Sequence, residues 1–170
     1  PHYHPMSQGI ALEGMRLVKE YLPRAFANGQ DIEARAQMMS AAMMGATAFQ
    51  KGLGAIHAMS HPIGAHFNTH HGTTNAVCMP TVLAFNADAI RDRFDTASAY
   101  LGIDGGFDGF RAFVQDHNDS LNIPRTLSDL GVTEEAIPTL VKGAIIDPSC
   151  GGNPIELTEQ NLTALFKAAL

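Results

Sequence analysis

At 170 residues with 45% hydrophobic content, the chain can bury one substantial core and is too apolar for a disordered segment. A formal net charge of −6 without a basic run argues against nucleic acid and anionic membrane as partners, and no apolar run is long enough to span a bilayer. Two cysteines, Cys78 and Cys150, make neither a disulfide framework nor a zinc pattern, so both are expected as reduced thiols in a cytoplasmic protein. The opening at Pro1 reads as a fragment or a processed product, and no signal peptide is visible.

In chain order, Pro1–Pro5 is expected as an extended lead with His2 and His4 on one side. Ser7 is placed to cap a helix that runs to about Ala27 on Ile10, Leu17 and Tyr21, with Pro23 near its end and a turn at Asn28-Gly29. Asp31 caps a second helix. Its stripe of Ile32, Ala36, Met39, Met43 and Ala46 has helical spacing, is expected in the core, and should deliver His57 at the helix's far end. Gly72–Asn86 reads as a buried helix with Pro80 inside it, Ile90–Leu101 as a more charged helix, and Phe107–Ser120 as a helix with Phe110 and Phe113 inward. Leu121–Gly131 has no regular pattern. The T-E-E-A run from Thr133 starts a helix that ends before Asp147-Pro148, and Thr158 caps a last one carrying Leu162, Leu165 and Phe166. No alternating strand pattern, Gly-rich phosphate loop or internal repeat is present, so the expected fold is an all-α helical bundle over residues 1–170.

The chemistry concentrates in Gly52–Pro80, which holds five of the eight histidines: His57, His61, His66, His70 and His71. Any one histidine is more often packed or solvated than functional, but five in fifteen residues among small and apolar neighbours point to a site. His57 and His61, at i and i+4, share a helix face about 6 Å apart along the axis, a spacing that suits a metal pair. His57 and His71 would lie about 21 Å apart on one unbroken helix and can meet only if the chain reverses. Pro62, Gly64, Asn68-Thr69 and Gly72 supply reversal signals, so His57 is expected to end one helix and His71 to open the next.

The run G-L-G-A-I-H-A-M-S-H-P-I-G-A-H-F-N-T-H-H-G-T-T-N-A-V-C-M-P resembles the histidine signature of the iron-containing (group III) alcohol dehydrogenases. Pro1–Val18 resembles the segment after that family's first metal motif, and Asp147–Leu170, with Asn153-Pro154, resembles its C-terminal end. The resemblance implies the helical C-terminal, metal-binding catalytic domain of that fold, related to the one in dehydroquinate synthase. It also implies one divalent iron held by an Asp and three His. His57 and His71 match two of those ligands, while the Asp and the remaining His belong to a D-x-x-x-H motif that this chain does not carry. His61 matches a histidine beside the nicotinamide, a catalytic and cofactor-binding position outside the ligand set. His66 and His70 stand where relatives carry other residues and receive no role.

The implied function is NAD- or NADP-dependent hydride transfer between an alcohol and its aldehyde, a small-molecule substrate, with Fe2+ as Lewis acid. Nitrogen and oxygen ligands also suit Zn2+, which such sites bind more tightly by the Irving–Williams order. The resemblance places the nucleotide in a separate N-terminal α/β domain, so the chain by itself is expected to be inactive. A homo-oligomer is compatible with this reading. The alternatives are a related maleylacetate, lactaldehyde or polyol reductase, or a non-catalytic helical metal-binding or assembly module.

Overall fold

A histidine starts the first helix: His4 Nδ1 accepts the backbone N–H of Ser7 at 3.1 Å, so His4 and not Ser7 is the cap, and the helix begins at Pro5. The computed structural model describes residues 3–170, so His2 lies outside the described residues. Among them the fold is all-α, with no strand. The helices are α1 (Pro5–Ala27), α2 (Ile32–Ala48), α3 (Ala55–Phe67), α4 (His71–Phe85), α5 (Ala87–Leu101), α6 (Gly106–Ser120), α7 (Ile137–Ile145) and α8 (Glu159–Ala169). No described helix is long and apolar enough to cross a membrane.

The chain divides into two units. One comprises the chain up to Lys51 together with Asp92–Phe113. There α1 and α2 form a hairpin across the Asn28–Asp31 turn, in which Asp31 accepts the Ala34 N–H as the cap of α2. Gly14 lets the two helices close, since a Cβ there would stand 3.3 Å from Met44 Cβ. The α2 stripe departs from its expected place. Ile32, Met39 and Met43 are 72–73% exposed, while the small Ala34 and Ala41 are the buried residues. Helical spacing marks one face, but here the face turned to the neighbouring helix is the one short enough for close approach.

The second unit comprises Gly52–Arg91 and Val114–Leu170 and holds the larger core. Met59 and Ile63 of α3, Cys78 of α4, Leu140 of α7, and Leu162 and Phe166 of α8 are all fully buried in it. Thr158 caps α8 as expected. Its hydroxyl accepts the Asn161 N–H while the Asn161 side chain accepts the Thr158 N–H, a reciprocal capping box. Cys78 is wholly buried in α4, and its thiol is pushed up to about 12 by that burial, which makes it inert at neutral pH. Cys150 donates its S–H to Ala144 O from a 3-10 turn at Pro148–Gly152.

Candidate metal centre

The second unit builds its histidine cluster from α3, the turn after it, and the first residue of α4. His57 does not end a helix, as the spacing suggested. It sits in the first turn of α3, and α2 stops at Ala48. Helix α3 runs straight through Pro62 and Gly64 and is ended by Asn68, whose left-handed conformation (φ 52°, ψ 37°) directs its N–H onto Gly64 O. His70 then caps α4, its Nδ1 accepting the Thr73 N–H at 3.3 Å. A helical residue advances only 1.5 Å, so the 13 residues of α3 span about 20 Å. A non-helical residue covers roughly twice that or more, so the short link 68–70 can retrace much of α3 and bring His71 back beside it.

The result is a nearly equilateral triangle of imidazoles. Ring centroids are 5.6 Å apart for His57–His61, 5.3 Å for His57–His71 and 5.5 Å for His61–His71, the last pair stacked within 17°. His66 lies exposed in the last turn of α3, and His70 is a helix cap. The structure thus brings together the three histidines singled out for chemistry and leaves the other two apart. It does not separate the i, i+4 pair from the His57/His71 pair, because all three distances are alike.

Two residues that sequence reasoning passed over complete the cluster. Asn75 follows His71 by one helical turn, and its Nδ2 donates to His71 Nε2 at 3.0 Å and lies 3.4 Å from His57 Nε2. An amide nitrogen is only a donor, so both Nε2 atoms carry their lone pairs toward one small volume. Asp147 caps the Pro148–Gly152 turn; its Oδ1 accepts the Ser149 N–H at 2.8 Å, and its Oδ2 stands 2.8 Å from His61 Nδ1. Asp147 was legible only as a helix boundary, since its partner lies 86 positions away in sequence.

Electrostatics follow from this packing. Burial disfavours the charged form of His57, and the neighbouring His71 and His61 add to that effect. Its pKa is lowered despite the opposing pull of Asp147, and the ring is neutral at physiological pH. Burial pushes the Asp147 carboxyl up, but hydrogen bonds from His61 and Ser149 outweigh it and hold the group below the ordinary carboxylate value.

The loop that carries Asp147 also anchors the start of α3. Asn153 Oδ1 accepts the Ala55 N–H at 3.1 Å, in place of the side-chain cap that Gly54 lacks, and the Asn86 amide at 3.0 Å. Asn153 Nδ2 donates to Asn86 Oδ1 and to Ile155 O. Gly152 passes so near that a Cβ there would stand 1.8 Å from Leu53 O. His57 therefore sits two residues beyond a buried clamp.

The donor set fits a divalent transition metal as part of a site. Two imidazole nitrogens with convergent lone pairs suit iron or zinc. Among the described residues no group of three His, Cys, Asp or Glu closes a metal site by itself.

The sequence model of the Fe-containing alcohol dehydrogenase family, C-terminal, matches residues 2–170. The chain is 39% identical to the 4-hydroxybutyrate dehydrogenase of Cupriavidus necator, covering 100% of this chain and 47% of that protein. It is 38% identical to the NAD-dependent methanol dehydrogenase of Bacillus methanolicus, covering 98% of this chain and 46% of that one. A crystal structure of a 1,3-propanediol oxidoreductase superposes with a TM-score of 0.93 at 30% identity over 98% of this chain and 46% of that one. The chain spans about half the length of the relatives it matches.

Proposed function

This chain belongs to the Fe-containing alcohol dehydrogenase family as a C-terminal domain, and we propose that it supplies the metal-binding half of an NAD(P)-dependent dehydrogenase acting on a short-chain alcohol and its aldehyde. The observation that carries the reading is the convergence of His57 Nε2 and His71 Nε2 on the Asn75 amide. His57 and His71 would hold the metal, joined by ligands from outside this chain. When bound, the metal supplies Lewis acidity toward an alcohol oxygen and the nicotinamide supplies a hydride acceptor.

The chain's own residues do the rest. The depressed pKa of His57 keeps its nitrogen free of a competing proton. The Asn153 clamp fixes the start of the helix that carries His57, and the Asn75 amide marks the volume in which the two Nε2 lone pairs meet. His61, one turn from His57 and exposed to solvent, borders the same volume. Its Nε2 takes up the hydroxyl proton and releases it to water, and the family resemblance would put the nicotinamide beside its ring.

The test uses the complete protein that carries this chain. NADH formation is followed with 4-hydroxybutyrate, methanol and 1,3-propanediol, before and after chelation. Turnover with at least one of them should vanish on chelation and return with Fe2+, or with Zn2+ if the metal is zinc. Undiminished turnover after complete metal removal contradicts the proposal. Residues 1–170 alone should show no turnover.

A further inference from the structure

We infer that Asp147 is the positioning residue of His61, holding its imidazole in the tautomer that leaves Nε2 unprotonated. The inference rests on the reading of His61 as the proton relay, and it names the group that makes the ring competent for that role.

The two partners differ in freedom. The Asp147 side chain is 13% exposed and His61 is 41% exposed. Asp147 is fixed without any help from His61: Oδ1 takes the Ser149 N–H at 2.8 Å, and the main-chain carbonyl takes the Cys150 N–H at 3.0 Å. Asn153 closes the same turn onto the start of α3. The carboxylate is therefore presented by a rigid turn whose two ends grip one helix, Asp147 at His61 and Asn153 at Ala55. The more exposed imidazole is the member that is oriented.

The direction of the hydrogen bond follows from donor chemistry. An ionised carboxylate only accepts, so His61 Nδ1 donates to Oδ2 across the 2.8 Å contact. In a neutral ring that leaves the lone pair on Nε2, the atom that must accept a proton from an alcohol hydroxyl. Without Asp147 an exposed imidazole would exchange between tautomers and between orientations. With it, the ring is held on one side by the carboxylate and flanked by His57 and His71 at 5.6 and 5.5 Å. A carboxylate bonded to the inner nitrogen also stabilises the ring once Nε2 is protonated.

Asp147→Asn makes the point testable because it keeps the shape and reverses one bond. The Ser149 N–H still demands an oxygen, so the amide nitrogen is turned toward His61 Nδ1. That nitrogen can accept only if the proton moves to Nε2.

Nitrogen-15 NMR of histidine-labelled wild-type protein should show His61 protonated at Nδ1 and bare at Nε2, and Asp147→Asn should invert this. In the complete enzyme, Asp147→Asn should lower kcat by about a hundredfold or more, the loss expected for a disabled proton-transfer group. The alcohol KM should change only a few-fold, and bound metal should be retained. Because the two residues act as one unit, His61→Ala/Asp147→Asn should be no slower than His61→Ala alone.

A wild-type His61 protonated at Nε2 overturns the inference without any variant. So does Asp147→Asn with wild-type kcat while His61→Ala is impaired, or losses that multiply in the double variant, which would mark Asp147 as a loop anchor only. If His61→Ala itself turns over normally with its metal in place, the relay reading of His61 fails, and the tautomer measurement still decides whether Asp147 positions the ring.

Discussion

At the scale of single residues, burial disfavours the charged form of an imidazole. His117 on α6 is a clean case away from the histidine cluster: burial lowers its pKa below the ordinary histidine value. The unfolded chain then takes up that proton first on acidification, near pH 6.5. Stability from the neutral ring is complete above that pH and is lost as the pH falls through the lowered value of the folded state. Melting temperature should therefore decline as the pH falls below about 6.5, and His117→Gln should make that decline shallower. An unchanged slope in the variant would contradict the assignment.

At the scale of elements, the clearest dependency is that α3 begins on a side chain nearly a hundred residues away. Asn153 meets the Ala55 N–H and both ends of the Asn86 amide, all buried. Asn153→Ala leaves these groups without partners and should destabilise the fold by about 2–4 kcal/mol, read as a lower urea midpoint at unchanged helical circular dichroism. A loss below about 0.5 kcal/mol, the level of an ordinary surface substitution, would contradict the clamp. Sequence reasoning located most helices, because caps such as Asp31 and Thr158 and the apolar spacing of α8 are local signals. It misjudged α2, where a regular Met stripe faces solvent while Ala34 and Ala41 are buried. It also misjudged which end of a helix His57 occupies, because Pro62 is absorbed within α3. A Cβ on Gly143 would stand 2.8 Å from Pro62 Cβ, so the proline ring packs against a glycine of α7 that no local pattern could announce. Asp147 and Asn153 were hidden for the same reason: their partners lie 86 and 98 positions away.

At the scale of the whole molecule, family membership explains why the described residues gather convergent imidazoles without closing a site. The chain matches a C-terminal family model from residue 2 to residue 170 and spans about half of its relatives. On the proposed reading, two ligands and the proton relay come from this half, and the remaining ligands and the nucleotide cradle come from outside it. The central claim is the division of labour within the triangle, with His57 and His71 as ligands and His61 as relay, and geometry alone treats the three rings alike. The measurement that decides it is the metal content of the purified complete protein in three variants. His57→Ala and His71→Ala should each lose nearly all bound iron, and His61→Ala should keep most of it. Loss of the metal in His61→Ala with retention in His71→Ala would show that the i, i+4 pair is the ligand set and would contradict the account.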